Sequence, residues 1–502
     1  MANSPEAKKV GSAAIFIYIE TFVSLVLGYL FWIIMSKIGN PEIIGISSAV
    51  ITFSGIISVI SHIGIPTGVQ RFLGKSFAIS SVSEIKTYLI VSTSLISITI
   101  GIVIIIVSIF SDSLLTSFKI DQELFFVSLV LIISTSYATF LRGIVVSSLQ
   151  TKILTFAMTI SALIKLFLGI ILLLWGMGAL GLLISFTINQ LIVTAILAIH
   201  VVRIFKFGKL TFNSLKLKLR LIDATYCKEI LSSSIVYWIP LVITTIGSQV
   251  GTIFIYGSAG SEDAGLFFIA LTIVTGITSV MYSLFTISFP AMSGMSDGRK
   301  RFITKVTRLS LIIAIPFSLS LIFYSDDILS LLGNDYIGAA TILDILLLSM
   351  LPTAVHYGIT SFVYSRGNYR QVLYLGISTS VPRIVLYLSF IPFFGGIGGA
   401  IAFTVGSLIG FIYAIFVAKQ NRITIEWRKI SLIFAIPLLV SFILISLKID
   451  YIYGIILNLC ISYLVMYALK LVLLSDLRYA YRLLPSIITS RTNFLIKKLR
   501  GY

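Results

Sequence analysis

Charge is what this chain most lacks. Its 502 residues include 37 Lys and Arg and 19 Asp and Glu, together 11%, where soluble globular proteins carry about 25%. A water-exposed surface of this length cannot be built from so few ions, which excludes a soluble enzyme, a disordered chain and a nucleic-acid-binding domain. Cysteine is nearly absent, with two residues. Cys227 falls in a basic loop and Cys460 in an apolar run, so no disulfide is expected. The three histidines, His62, His200 and His356, are scattered singly, and no His/Cys/carboxylate spacing suggests a metal site. There is no G-x-x-x-x-G-K-[ST], hence no sign of ATP hydrolysis by the chain itself. Gly176–Gly181 spells G-x-G-x-x-G, but no strand precedes it and it reads as a tight turn. No cofactor is implied.

What the chain has in abundance is apolar residues, 58% of the total. They fall in long non-alternating runs, which excludes barrel strands of ~10 residues with alternating polarity and predicts helices of roughly 20 residues across a bilayer. The runs predict spans at 13–36, 43–65, 87–110, 124–148, 153–174 and 179–202, then at 232–256, 264–289, 309–324, 337–364, 371–391 and 397–418, and finally at 430–447 and 451–474. The ninth contains Pro316, a helix breaker. The first run is too long for a signal peptide and lacks a cleavage site, so it is expected to be retained. The reading is an all-α integral membrane protein with about fourteen transmembrane helices.

The net charge of +18 supports the same reading. With the N-terminus inside, 32 of the 37 Lys and Arg fall on inner segments, three (Lys37, Lys119, Lys448) on outer ones, and two (Lys165, Arg383) within spans. Such alternation is the positive-inside pattern of a multi-pass cell-membrane protein with both termini cytoplasmic. Outer loops are short and acidic. The organisation expected is a cytoplasmic N-terminus (1–12), an N-lobe (13–202), a basic linker (203–231), a C-lobe (232–418), two added spans (430–474) and a basic tail (475–502). The linker and tail suit an anionic inner leaflet; the tail reads equally as a surface helix or as a disordered segment.

An offset of 220 residues lays Asn40–Ile46 on Gly260–Leu266, matching Glu42 with Glu262 and Gly45 with Gly265. The same offset lays Gly176–Ala179 on Gly396–Gly399. Six spans per repeat is even, so the repeats are parallel, an arrangement of secondary transporters that places substrate between lobes.

Ionisable groups inside spans are expensive and need a partner or water. Glu20 enters the first span to ~10 Å, and Asp344 enters the tenth from the outer side to a similar depth. Lys165 and Arg383 sit near the middle of the fifth and eleventh spans, near-equivalent in the repeat. Depth and sign predict the pairs Glu20–Lys165 and Asp344–Arg383. These either staple helices or face a cavity and attract an anion. Arg71, Arg142 and Arg366, at inner span ends, either draw in a lipid phosphate or snorkel to headgroups.

Several segments resemble the multidrug/oligosaccharidyl-lipid/polysaccharide (MOP) exporter superfamily, in its Wzx-like oligosaccharide flippase branch. They are Gly28–Gly39 followed by Pro41, Glu42 and Gly45; Gly64–Phe72; Leu141-Arg142-Gly143; and the Gly176–Ala179 turn. The resemblance implies two six-helix lobes around a central V-shaped cavity, alternating access, and a lipid-linked oligosaccharide moved from the cytoplasmic to the outer leaflet by a monomeric, non-enzymatic transporter. It transfers no specific ligand. A coupling ion, H+ or Na+, would sit at Glu20 or Asp344, although a substrate gradient or the membrane potential would also suffice. The rival reading is a cation-coupled exporter of small organic cations, which calls for acidic cavity groups free of cationic partners. A membrane glycosyltransferase or polymerase fits worse, since it needs paired carboxylates and a large outer loop, and a mere scaffold gives no reason for buried cations in both repeats.

Overall fold

The computed structural model describes residues 5–79, 81–118, 120–207, 224–293, 295 and 297–471. Most of the basic linker and nearly the whole tail therefore lie outside the described residues. Among those described, the regular structure is all helical: α1 (Pro5–Ile38), α2 (Pro41–Ser61), α3 (Ile65–Ala78), α4 (Val82–Ile109), α5 (Ser111–Phe118), α6 (Gln122–Ser147), α7 (Lys152–Leu174), α8 (Gly178–Phe207) and α9 (Ala224–Ser258). There follow α10 (Ser261–Ser293), α11 (Arg299–Phe323), α12 (Ser325–Ser330), a 3-10 turn (Asn334–Ala339), α13 (Ala340–Leu347), α14 (Met350–Ser365), α15 (Tyr369–Gln420), α16 (Trp427–Ser446) and α17 (Tyr451–Ala468). The chain gathers into two compact units, Met1–Gly265 and Leu266–Tyr502, so the seventh expected span, α9, packs within the first.

Twelve of the described helices are long and apolar enough to cross a membrane, or thirteen with the bent pair Asn334–Leu347 and Met350–Ser365. The apolar runs predict fourteen. The difference lies in α15, counted once although its 52 residues cover two expected runs. Straight, it would extend about 78 Å, against a hydrocarbon core of about 30 Å. It breaks at Gly395, whose φ of 52° and ψ of −130° leave the helix.

Prolines shape the helices without ending them. In α11 the chain continues through Pro316, and the Pro316 carbonyl also accepts from Ser320 Oγ at 2.8 Å. Between α13 and α14 the axis bends by 43°. There the Ser349 N–H donates to Leu346 instead of Ile345. The carbonyl of Ile345 is taken by Thr404 Oγ1 of α15 at 2.7 Å.

Small residues bring helices close, as expected where lipid leaves no hydrophobic drive between them. In the first unit a Cβ on Gly45 would collide with the carbonyl of Ser261, and one on Gly265 with that of Pro41. These four positions exchange under the 220-residue offset, so the matched glycines make a reciprocal contact. Along the same unit α1 packs on α7, and α7 and α6 on α8. Thr151 and Thr155 Oγ1 donate to the carbonyls of Ala13 and Phe16, at 2.8 and 2.9 Å, which fixes α1 and α7 in parallel register.

In the second unit the two added spans are bolted to α11 through one buried side chain. Asn458 of α17 donates to Ser320 Oγ of α11 (2.7 Å) and Ser441 Oγ of α16 (2.8 Å), and its Oδ1 accepts from Ser462 Oγ (2.9 Å). From the first half of α11, Arg308 reaches Glu426 Oε2 at 3.0 Å, and Lys429 reaches Oε1 at 2.8 Å. Burial pushes the Glu426 carboxyl up, but these two cations outweigh it and hold it below the usual carboxylate value. Asn458→Leu removes three interhelical or intrahelical bonds and strands two serine hydroxyls. It should destabilise the purified protein by about 1–2 kcal/mol, read as a lower melting temperature, whereas Ser446→Ala on the exposed side of α16 should change nothing measurable.

Candidate functional site

A cavity of about 580 Å³ opens inside the first unit. Its floor begins at a turn that the sequence reading missed. After α2 the chain passes through Ile63 and Gly64 with φ of 43° and 69°, then resumes as α3. Gly64 suits this left-handed turn, and a Cβ there would also meet the Ser234 carbonyl of α9. The segment expected as plain inner loop is thus a helix laid against α6 and α9. Gly143 of α6 lets it approach, since a Cβ there would press on the Pro66 carbonyl.

Five helices line the space: Ile17 from α1; Gly55, Ser58, Val59 and His62 from the end of α2; Pro66, Thr67 and Gln70 from α3; Thr135, Thr139, Arg142 and Val146 from α6; Leu241, Thr245 and Gln249 from α9. Its polar groups are amides, hydroxyls and an imidazole, with a single guanidinium. Behind Ser58, the hydroxyls of Ser58 and Ser61 both bond Ser136 Oγ at 2.9 Å, closing that wall without charge. Trp238 Nε1 of α9 donates to the Val59 carbonyl at 2.8 Å and holds α9 on α2.

Arg142 is the charged centre. Its Nη2 donates to Glu20 Oε2 at 2.7 Å; the Glu20 side chain is 5% exposed and that of Arg142 38%. The carboxylate lies in the protein wall while the guanidinium remains open to the cavity. The expected pair Glu20–Lys165 is not formed. The register of α1 and α7 explains this: with Thr155 at Phe16, Glu20 stands near Thr159, and Lys165 lies about 9 Å further along. Lys165 is buried between aromatic rings, its Nζ 4.6 Å from the Phe31 centroid and 4.2 Å from that of Phe186.

The other expected pair, Asp344–Arg383, is absent as well. Arg383 Nη2 donates to Ser407 Oγ at 2.7 Å and Nε to the Phe403 carbonyl at 3.2 Å, with its Cζ 3.7 Å from the Phe403 ring centroid. Asp344 lies by Ser325 and Asp326 instead, and its Oδ1 is buried without a hydrogen bond. Thr404 of α15 bonds the backbone carbonyl of Ile345, next to Asp344, but the Asp344 carboxylate is taken by Ser325. Arg71 is exposed over the Phe72 ring, and Arg366 is exposed at the end of α14, bonded to Asn421 Oδ1 at 2.7 Å. Of the seven candidate residues the structure brings two together at a cavity, Glu20 and Arg142.

The neutral lining groups were not foreseen, yet a signal for them exists. Thr135, Thr139 and Arg142 recur at helical spacing on α6, as do Thr245 and Gln249 on α9: each is a polar stripe within an apolar run. Among the described residues, no group of three or more His, Cys, Asp or Glu could hold a metal ion.

No family model matches the chain, and no curated protein matches its sequence. Solved structures do match its fold. The lipid II flippase MurJ, in an inward closed conformation, superposes with a TM-score of 0.67 at 19% identity, covering 91% of this chain and 98% of that one. A multidrug resistance MATE family transporter of the MOP superfamily matches in its inward-facing conformation (0.62, 14%, 82% and 99%) and in its outward-facing one (0.55, 14%, 82% and 95%). The chain therefore has the fold of MOP-type transporters and flippases, and it is a multi-pass membrane protein.

Lys165 tests how the buried charges are held. A cation–π contact gives up to about 2 kcal/mol when desolvated, while burying an ammonium costs several. Lys165→Met should therefore leave the melting temperature unchanged or raise it; a clear fall would show that the cation staples the helices.

Proposed function

We propose that the protein carries a lipid-linked oligosaccharide across the cell membrane, from the cytoplasmic to the outer leaflet, by alternating access, without catalysing a reaction. The observation that carries this reading is the roomy polar cavity with one guanidinium open to it, enclosed in helices whose outer faces are apolar. A sugar head linked through phosphate cannot enter hydrocarbon uncompensated, because its hydroxyls and charge would lose their hydration. Amides and hydroxyls such as those of Gln70, Gln249, Thr135 and Thr139 replace water around a sugar. Arg142 supplies the charge-assisted bonds that a phosphate oxygen takes. The lipid tail needs no site of its own, since it stays among the apolar outer faces. The MurJ likeness agrees with a lipid-linked cargo.

The MATE likeness favours a second reading, export of small organic cations. Against it, the lining offers no carboxylate, and the nearest one, Glu20, is engaged by Arg142. Monomeric action, cytoplasmic termini and an anionic inner-leaflet contact for the basic segments complete the proposal. No coupling ion is assigned.

The test is genetic and biochemical. Cells lacking the protein should accumulate a lipid-linked oligosaccharide whose sugars remain accessible from the cytoplasmic side, with unchanged susceptibility to cationic drugs. Arg142→Gln combined with Glu20→Gln, which removes both charges and keeps a hydrogen bond, should lower flux of that lipid at least tenfold at near-parental expression. Drug hypersensitivity without lipid accumulation would favour the exporter.

A further inference from the structure

The Arg142–Glu20 pair has an asymmetry that a structural staple does not require. One oxygen of a nearly inaccessible carboxylate takes one nitrogen of a guanidinium that is itself more than a third exposed. Arg142 Nε is buried beside that bond and makes no hydrogen bond, so the exposure of the side chain lies elsewhere on it. The other lining side chains are neutral amides, hydroxyls and apolar groups, apart from the imidazole of His62. The electrostatic pull of the cavity on an anion is thus set by Arg142 and by whatever stands behind it. What stands behind it is a negative charge in contact, in a wall from which water is excluded, where its opposing field is screened little.

We propose that Glu20 is a built-in competitor that weakens the hold of Arg142 on a phosphate-bearing head group, so that the cargo is released after translocation. The inference rests on the reading of the cavity as an anion site and adds a residue that tunes it. A transporter must bind well enough to load and loosely enough to unload. A free guanidinium in this cavity meets the first need and defeats the second. With Glu20 in place, Arg142 offers an anion a partly neutralised charge and its remaining N–H groups. Glu20 never touches the cargo; it acts through Arg142 as a positioning residue. The one other titratable group in the lining of this cavity is His62, which follows α2; on α7, Thr155 bonds the Phe16 carbonyl of α1, and Lys165 lies further along that helix.

The full-length protein in nanodiscs, titrated with inorganic pyrophosphate, tests this. Glu20→Gln should bind pyrophosphate about tenfold more tightly than the parent. In proteoliposomes, with the lipid that accumulates in cells lacking the protein, it should lower both KM and kcat, the split expected when product release is slowed. Glu20→Asp, which keeps the charge but draws it back by about one bond, should tighten binding by a smaller factor. This variant also serves if Glu20→Gln fails to fold, and unchanged or weaker pyrophosphate binding in it overturns the proposal. A Glu20→Gln protein that melts earlier with unchanged or weaker pyrophosphate affinity shows a staple and overturns the proposal too. If the double variant Glu20→Gln with Arg142→Gln binds pyrophosphate as well as the parent, Arg142 is not the anion site, and the reading of the cavity itself falls.

Discussion

Hydrocarbon gives no partner to a polar group, and this single constraint orders the whole chain. Every peptide N–H and C=O must be satisfied within its own segment, so the regular structure is helical. At the bend before α14 the backbone is repaired locally, Thr404 covering the carbonyl of Ile345. The same constraint sorts the side chains. Asn458 is tolerated in the interior of α17 because three serines answer it. Arg383 is tolerated because Ser407, a carbonyl and the Phe403 ring surround it. A further set of polar groups lines the cavity of the first unit.

That cavity is electrically simple. Its lining carries one guanidinium, and the balance of its charge is decided by a carboxylate just out of sight. In the function proposed above, Thr, Ser, Gln and His around them would give room and solvation, and selectivity for an anionic over a cationic cargo would come from Arg142. The MurJ and MATE likenesses, at 19% and 14% identity, establish the fold and leave the cargo to these residues.

Much of the fold was legible in the sequence because a membrane span is a long-window signal: twenty apolar residues outweigh a local proline, as at Pro316. The match of Gly45 with Gly265 was legible for a similar reason, since both are required by backbone contact. The helix α3 was not legible, because Ile65–Ala78 is half polar and its helicity depends on docking against α6 and α9. For the site, charge and depth marked Glu20 and Arg142 separately but paired Glu20 with the wrong cation. Sign says nothing of helix register, and it took the bonds from Thr151 and Thr155 to the carbonyls of α1 to show that Lys165 stands too far along. The neutral lining escaped notice because threonine and glutamine are unremarkable one at a time; only their helical spacing is informative.

The central claim is that water and an anion reach Arg142 within the first unit. Thr139, one turn from Arg142 on α6, is the place to ask, in a protein carrying Cys227→Ser and Cys460→Ser. Thr139→Cys in that background should react with a water-soluble, membrane-impermeant maleimide, and inorganic pyrophosphate should slow the reaction. A cysteine there that stays unreactive in folded protein, or that reacts at a rate indifferent to pyrophosphate, would contradict the account.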